Sequence, residues 1–565
     1  MKPAFFGPIL KIFVRLAVLL MLIGGPVRLP AAAAQMQMPS AAPQGQPPPA
    51  KLLPGMGNLH HAIATTNGEA QKFFDQGLTL VYAFNFLEAY HSFQRAAELD
   101  PEEPMPHWGA ALAIGPNYNS DTTGNLERAA FREIQRAKAL EANAPQNEQD
   151  YVAALSELFS GAPQPDHQKL AENYAAAMRN LHSKYPDDPD AATLFAVSLM
   201  DLHPWHLWSA KGEPLENTNE IVSVLEATLR RWPEHAGANH FYIHTMEASV
   251  HPEIALPSAK RLETLVPGAG HLAHMPAHIY IHTGAYAAAV KSNEAAVAAD
   301  HEYMRTKEIP NQPYMTGYVE HNLYFLVYCA MMAGGFRVAD GAAKELAERA
   351  TSEPDLTMAA GFRSMQALVL LRFARWDSVL NLPDPGEKLP VARVYWQFAR
   401  SCALAAKGDA EKAEAGRQTM EAMFAKLPPG PQFNMSARGW GDFHKIADEV
   451  LSARIAAARH EDAKAIEHWR AAVAIQDASE YSELPEWYYP VRESLGAALL
   501  REGQAREAEA VFRADLEHNK LNPRSLFGLD RALAEEKQEA EEKQVRQQFD
   551  TAWKSADTQL SLADF

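Results

Sequence analysis

A two-helix pattern that returns about every 34 residues leaves this chain few folds to choose from. From Glu69, EAQKFFDQGLTLVYAFNFLEAYHSFQRAAELDP places Gly77 within a first helix, Ala89, Phe93 and Ala96 in a second, and Pro101 at its close. Small residues at those places let two helices approach closely, and the aromatic fills the gap between them. The same grammar returns in PMPHWGAALAIG, YPDDPDAATLFAVSLMDL, EHNLYFLVYCAMMAGG and VRESLGAALLREGQAREAEAVF. A unit of this kind buries its apolar faces only against its neighbours, so the units must stack in a row. Strand-like alternation of useful length is absent. The reading is all-α: one α-solenoid over 58–565 of about ten to twelve helix-turn-helix repeats, closed by the charged helix LAEEKQEAEEKQVRQQFDTAWKSA.

The pattern of small residues around Phe93 resembles the tetratricopeptide repeat almost position for position, over roughly residues 69 to 555. As a whole the chain resembles exported bacterial tetratricopeptide proteins with a histidine-rich middle. The resemblance implies a concave groove that holds a protein or peptide segment, or a small ligand. It implies no activity.

Histidines concentrate in the stretch 236–330. With Ala255 and Ala289 set at the small-residue position of two consecutive repeats, the units are 34 residues apart. In the family, positions 2, 5, 9, 12 and 13 of the first helix face the groove, and spacings of three and four share one helix face. His240, His244 and Glu247 then occupy 5, 9 and 12, and His271, His274, His278 and His282 occupy 2, 5, 9 and 13. His321, Tyr324 and Tyr328 take 2, 5 and 9 of the following unit, aligned on Ala339. First helices of adjacent repeats run about 10 Å apart, so His240 is expected beside His274 and His244 beside His278, the four forming the centre of one metal site with Glu247, His282 and His321 as outer or additional ligands. Asp201, Trp205 and Trp208 would wall the groove one rung earlier. Pro276 belongs to a first helical turn and is expected to leave His271 just outside its helix. His235 is expected at the surface, and Leu59-His60-His61 as a polar lead-in to the first repeat.

Two imidazoles at i and i+4 present nitrogens on one side of a helix, and a carboxylate at i+7 adds an oxygen ligand or a general base. Imidazole suits zinc, copper and iron, and the lack of any Cys-x-x-Cys argues against a closed thiolate site. Cys329 and Cys402 are expected as buried free thiols in helices of different repeats.

Residues 1–34 read as a signal peptide: Lys2, Lys11 and Arg15 around the apolar LAVLLMLIGG, then Ala32-Ala33-Ala34 before Gln35. Residues 35–57 read as a Pro/Gln-rich linker. The expected protein is exported, periplasmic or extracellular, with no membrane insertion of the mature chain. Removal of the four leader cations (Arg28 is the last) takes the formal charge from −18 to −22, which argues against nucleic acid as a partner.

Two functions follow. One is a solenoid that binds a ligand or partner in its groove through a histidine-rich transition-metal site. The other is a metalloenzyme, hydrolytic or oxidative, with Glu247 as candidate base.

Overall fold

In a computed structural model, residues 50–565 are described except 121–123, 210, 308–313, 351–356, 428–440 and 480. The leader and most of the linker lie outside the described residues. The described chain is helical, and its only β pairing is in two isolated bridges, Asn117 with Ser120 and Trp208 with Pro214. No described helix is long and apolar enough to cross a membrane. Each helix packs chiefly on its sequence neighbours, as adjacent pairs of a helical repeat do.

The helices that build or brace the histidine region are α1 (Gly68–Tyr82), α2 (Phe86–Leu99), α3 (Met105–Ile114), α4 (Pro189–Met200), α5 (Ala236–Met246), α6 (Leu256–Leu265), α7 (Gly270–His274), α8 (Pro276–Thr283), α9 (Tyr286–Arg305) and α10 (Glu320–Ala333). Later come α11 (Arg492–Arg501), α12 (Ala505–His518) and α13 (Pro523–Glu535).

One packing device recurs at both ends of the chain. A Cβ built on Gly77 of α1 or on Gly109 of α3 would stand 2.7 or 2.4 Å from the ring of Phe93 on α2. Near the other end, Gly496 of α11 and Gly528 of α13 pinch Phe512 of α12, with 2.4 and 2.1 Å between the same points. A phenylalanine on the second helix is thus clamped between glycines on the first helices of its own unit and the next. Any side chain there would force the helices apart.

The row of helices curls until distant units touch. Tyr303 of α9 donates to Glu88 of α2 (3.0 Å), Asn119 donates to the Tyr318 hydroxyl (3.1 Å), and Gly268 N–H donates to Gly55 C=O (2.8 Å). From the other side, Gly284, in the left-handed region at φ +79°, lies against the backbone of Lys520. The first and last units therefore both fold back on the middle. That closure, invisible to a repeat register, is why the histidines lie buried and do not line an open groove. Both cysteines are buried free thiols.

Overfilling a clamp tests its part in the fold. Gly109→Ala is expected to destabilise the chain by about 1–3 kcal/mol in chemical denaturation, whereas Gly503→Ala, with no atom near its Cβ, loses only what its positive φ costs.

Candidate metal centre

Six imidazoles converge in the interior: His240 and His244 from α5, His271 and His274 from α7, His278 from α8 and His321 from α10. All are buried, His240, His274 and His278 completely. They fall into two trios, His240/His244/His271 and His274/His278/His321, in each of which one donor nitrogen per residue lies within 4.8 Å of the others. Each trio combines repeat positions 5 and 9 of one unit with position 2 of the next. The second trio is therefore the first, displaced by one repeat.

Local backbone explains the placement. The His240/His244 pair sits one turn apart on an unbroken helix. His274 and His278 straddle a break, because Pro276 has no N–H to give, yet Met275 stays in the right-handed helical region (φ −51°, ψ −35°). His271 lies outside the helix that Pro276 opens, as expected, but on the short helix α7, and its buried ring joins the first trio. His321 follows a turn of π-helix at Met315–Val319, a feature that re-aims the residues after it.

The partner of each Nδ1 indicates where its proton sits. His240 Nδ1 faces the Tyr82 carbonyl at 2.6 Å. His244 and His278 Nδ1 face the two oxygens of Glu247, at 2.7 and 2.6 Å. His274 Nδ1 faces Asn293 Oδ1 at 2.7 Å, and Asn293 Nδ2 donates to Ala289 C=O, which fixes that amide's orientation. Each of these four Nδ1 atoms must donate, so Nε2 carries a lone pair wherever the ring is neutral, as it must be to bind a metal. Histidine ligands of metals show this arrangement, the distal N–H anchored on a carboxylate or carbonyl.

The lone pairs then have too few protons to share. His274 Nε2 is approached by His278 Nε2 at 2.7 Å and by His321 Nε2 at 3.1 Å, and a single lone pair cannot accept from both in good geometry. His240 Nε2 meets His271 Nε2 at 3.2 Å. His244 Nε2 and His271 Nδ1 are buried without a hydrogen-bond partner. A cation in each trio would take up the crowded Nε2 atoms, with His271 giving one of its two nitrogens.

Electrostatics keeps most of the rings neutral. Burial, reinforced by neighbouring imidazoles, drives His240, His271 and His274 well below the usual histidine range, and takes His321 to about 3. Burial lowers His244 as well, against the pull of Glu247. At His278 the charge and hydrogen bond of Glu247 outweigh burial and raise it. Glu247 would be pushed up by burial, but His278 and the hydrogen bonds of both histidines hold it well down, so it stays a carboxylate. Tyr481 donates a third hydrogen bond to it, at 2.9 Å.

Aromatic rings back each trio. Phe84 packs on His240, His244 and His271 with centroids 4.6, 5.8 and 5.0 Å away. Phe325 does the same for His274, His278 and His321 at 4.5, 4.6 and 4.8 Å. Trp205, at a positive φ of 62°, sets its edge against His244 at 5.6 Å, and Trp208 Nε1, on the same stretch between helices, donates to Thr245 C=O at 2.6 Å. Asp201 caps α4 with a buried, unpaired Oδ1, and burial pushes its carboxyl well up.

Other expected residues lie elsewhere. His282 belongs to neither trio, and its buried Nε2 has no partner. Tyr324 packs on Phe362, and Tyr328 lines a separate cavity with His282. His235 is not at the surface. It is buried and pairs with Asp190 (3.0 Å), as His61 does (2.8 Å), while Tyr82 Oη donates to the same carboxylate (2.7 Å). This buried knot braces Tyr82, whose carbonyl orients His240; only His60 of the lead-in stays exposed.

The sequence reading missed Phe84, Phe325, Asn293, Tyr481 and Glu483. Phe325, four residues after His321, shared its helix face and was within reach of the register argument. Glu483 was not: it arrives from a loop more than 150 residues away in the chain, to stand 3.8–3.9 Å from Nδ1 of His244, His278 and His321. Burial, offset in part by His278 and reinforced by Glu247, pushes its carboxyl up to about 8.

No protein-family model matches the chain, and a search of curated proteins finds no match.

The depressed histidines set a pH dependence for the metal-free fold. They bind protons more readily when unfolded, so stability is flat above the unfolded value near 6.5 and falls as pH drops below it. His321 alone is expected to cost about 2 kcal/mol by pH 5. His278, raised, works in the opposite sense but is one ring against five. The melting temperature of chelator-treated protein should therefore decline steadily from pH 6.5 to 4.5.

Proposed function

We propose that this is a metalloprotein whose two histidine trios hold a pair of late first-row transition ions, one ion to a trio. The observation that carries this reading is the set of four imidazoles whose Nδ1 atoms are each fixed on an oxygen at 2.6–2.7 Å, which leaves Nε2 of each as the atom to meet an ion. Unbound, such a cluster of buried acceptors is costly; around cations it becomes a donor set. Imidazole-only coordination suits copper or zinc better than magnesium or calcium, and copper is the tightest binder of the series.

In this reading Glu247 is neither a ligand nor a base. It orients His244 and His278 and raises their donor strength through their Nδ1 protons. Glu483, on the Nδ1 side of three rings, supplies a further carboxyl close to the centre. Burial behind Phe84, Phe325 and Trp205 speaks for small-molecule chemistry at the metal pair over capture of a peptide in an open groove. The general reaction open to such a pair is binding and activation of a small molecule between two ions.

The setting we propose is a tetratricopeptide-type solenoid exported from the cytoplasm. The glycine–phenylalanine clamps and the one-repeat displacement of the trios support the first part. The basic, apolar and small-residue order of the leader supports the second.

Elemental analysis of untagged protein from its native compartment tests the metal reading. Wild type is expected to carry about two ions per chain, His244→Ala and His278→Ala about one each, and the double variant none, with helicity by circular dichroism preserved. Equal metal in wild type and the double variant, at matched helicity, would contradict it.

A further inference from the structure

Four of the six imidazoles are fixed by an oxygen on Nδ1, and two are not. His271 Nδ1 is buried without a hydrogen-bond partner, and His321 Nδ1 stands 3.9 Å from Glu483, beyond hydrogen-bond reach. These two are the third members of the two trios. With no such anchor, their rings are placed by the backbone that carries them.

Both backbones meet at one carboxylate. Asp300 of α9 is completely buried. Toward His271 it presses on Gly270, the first residue of α7, where a Cβ would stand 1.9 Å from Asp300 Oδ1. Any residue but glycine there would push the carboxylate off its place. Toward His321 it spans the turn of π-helix at Met315–Val319. Oδ1 accepts from the Tyr314 hydroxyl just before that turn (2.9 Å), and Oδ2 accepts from Asn322 Nδ2 just after it (2.7 Å). A π turn is a rare conformation, and both ends of this one are tied to the same side chain. Tyr314 also joins the two sides. Its hydroxyl faces the backbone N–H of His271, and its ring stacks at 5.6 Å on Tyr318, whose ring meets that of His271 edge-on at 5.1 Å.

We propose that Asp300 is the positioning residue for the third ligand of each trio, seating His271 through Gly270 and His321 through Tyr314 and Asn322. It does for these two rings what Glu247 does for His244 and His278, by way of the backbone instead of Nδ1. The assignment rests on the metal reading for the ions, but the ring positions it explains do not depend on one.

Crystal structures of the chelator-treated protein and zinc titration of the same preparations test it. Asp300→Asn keeps one acceptor and loses the other, and Gly270→Ala pushes on the contact from the opposite side. Asp515→Asn is the control, a buried carboxyl whose bonds run instead to Asn522 and Ser525. The rings of His271 and His321 are expected to shift by about 1 Å in Asp300→Asn, and that of His271 in Gly270→Ala, while His244 and His278 stay on Glu247. Zinc affinity is expected to fall at least about tenfold in both variants. The control should change neither. Both rings in their wild-type places in the two variants, wild-type zinc affinity despite displaced rings, or an equal effect in the control overturns the proposal. Displaced rings in a protein whose wild type takes up no zinc would uphold the positioning and sink the metal reading alone.

Discussion

The carboxylate of Glu247 is the contact on which the centre depends. One oxygen takes the Nδ1 proton of His244 and the other that of His278, so a single buried charge joins two repeats and fixes two rings from opposite trios. A carboxylate with 2 % of its surface exposed would be a severe liability unpaired. Three donors compensate it: the two imidazoles and the Tyr481 hydroxyl. In return it turns both Nε2 atoms inward. Without Glu247 the rings could rotate, and the geometry that makes the interior a donor set would dissolve.

Around that contact the row of paired helices acts as a ruler. A helix supplies two imidazoles one turn apart, and the next unit supplies two more across the break between α7 and α8. The third member of each trio comes from the start of the following first helix, His271 for one and His321 for the other. Chain between the units varies in length, since the stretch from α9 to α10 carries extra residues, yet the equivalence survives because it is set by helix packing and not by sequence distance. Closure of the curl then converts a surface into an interior. Tyr82, Phe84 and Asn119 arrive from the first units, and Tyr481 and Glu483 from the late ones.

Much of this was legible in the sequence, for a definable reason. Helical pairing follows from periodicity and from small residues such as Gly77 and Gly109, whose need is local. The register that aligned Ala255 with Ala289 also aligned His240 with His274 and His244 with His278; the structure sets the rings of His244 and His278 5.3 Å apart but divides the four between two trios, His240 and His244 in one and His274 and His278 in the other. What stayed hidden depends on contacts between distant units. The burial of His235 and His61 on Asp190, the third hydrogen bond to Glu247 and the approach of Glu483 come from closure of the curl, which no repeat signal encodes. His271 does lie outside the helix that Pro276 opens, but the backbone at Met275 stays helical in its dihedrals, so His271 is carried inward.

The most direct test of the central claim, that two imidazole trios bind two ions, is crystallographic anomalous scattering from protein purified without added metal and without a histidine tag. The account predicts two anomalous peaks, one within about 2.0–2.1 Å of nitrogens of His240, His244 and His271 and the other equally placed on His274, His278 and His321. Glu247 should remain on the Nδ1 side of its histidines, bound to no ion. Rings hydrogen-bonded only to one another and to water, with no anomalous density between them, would contradict it.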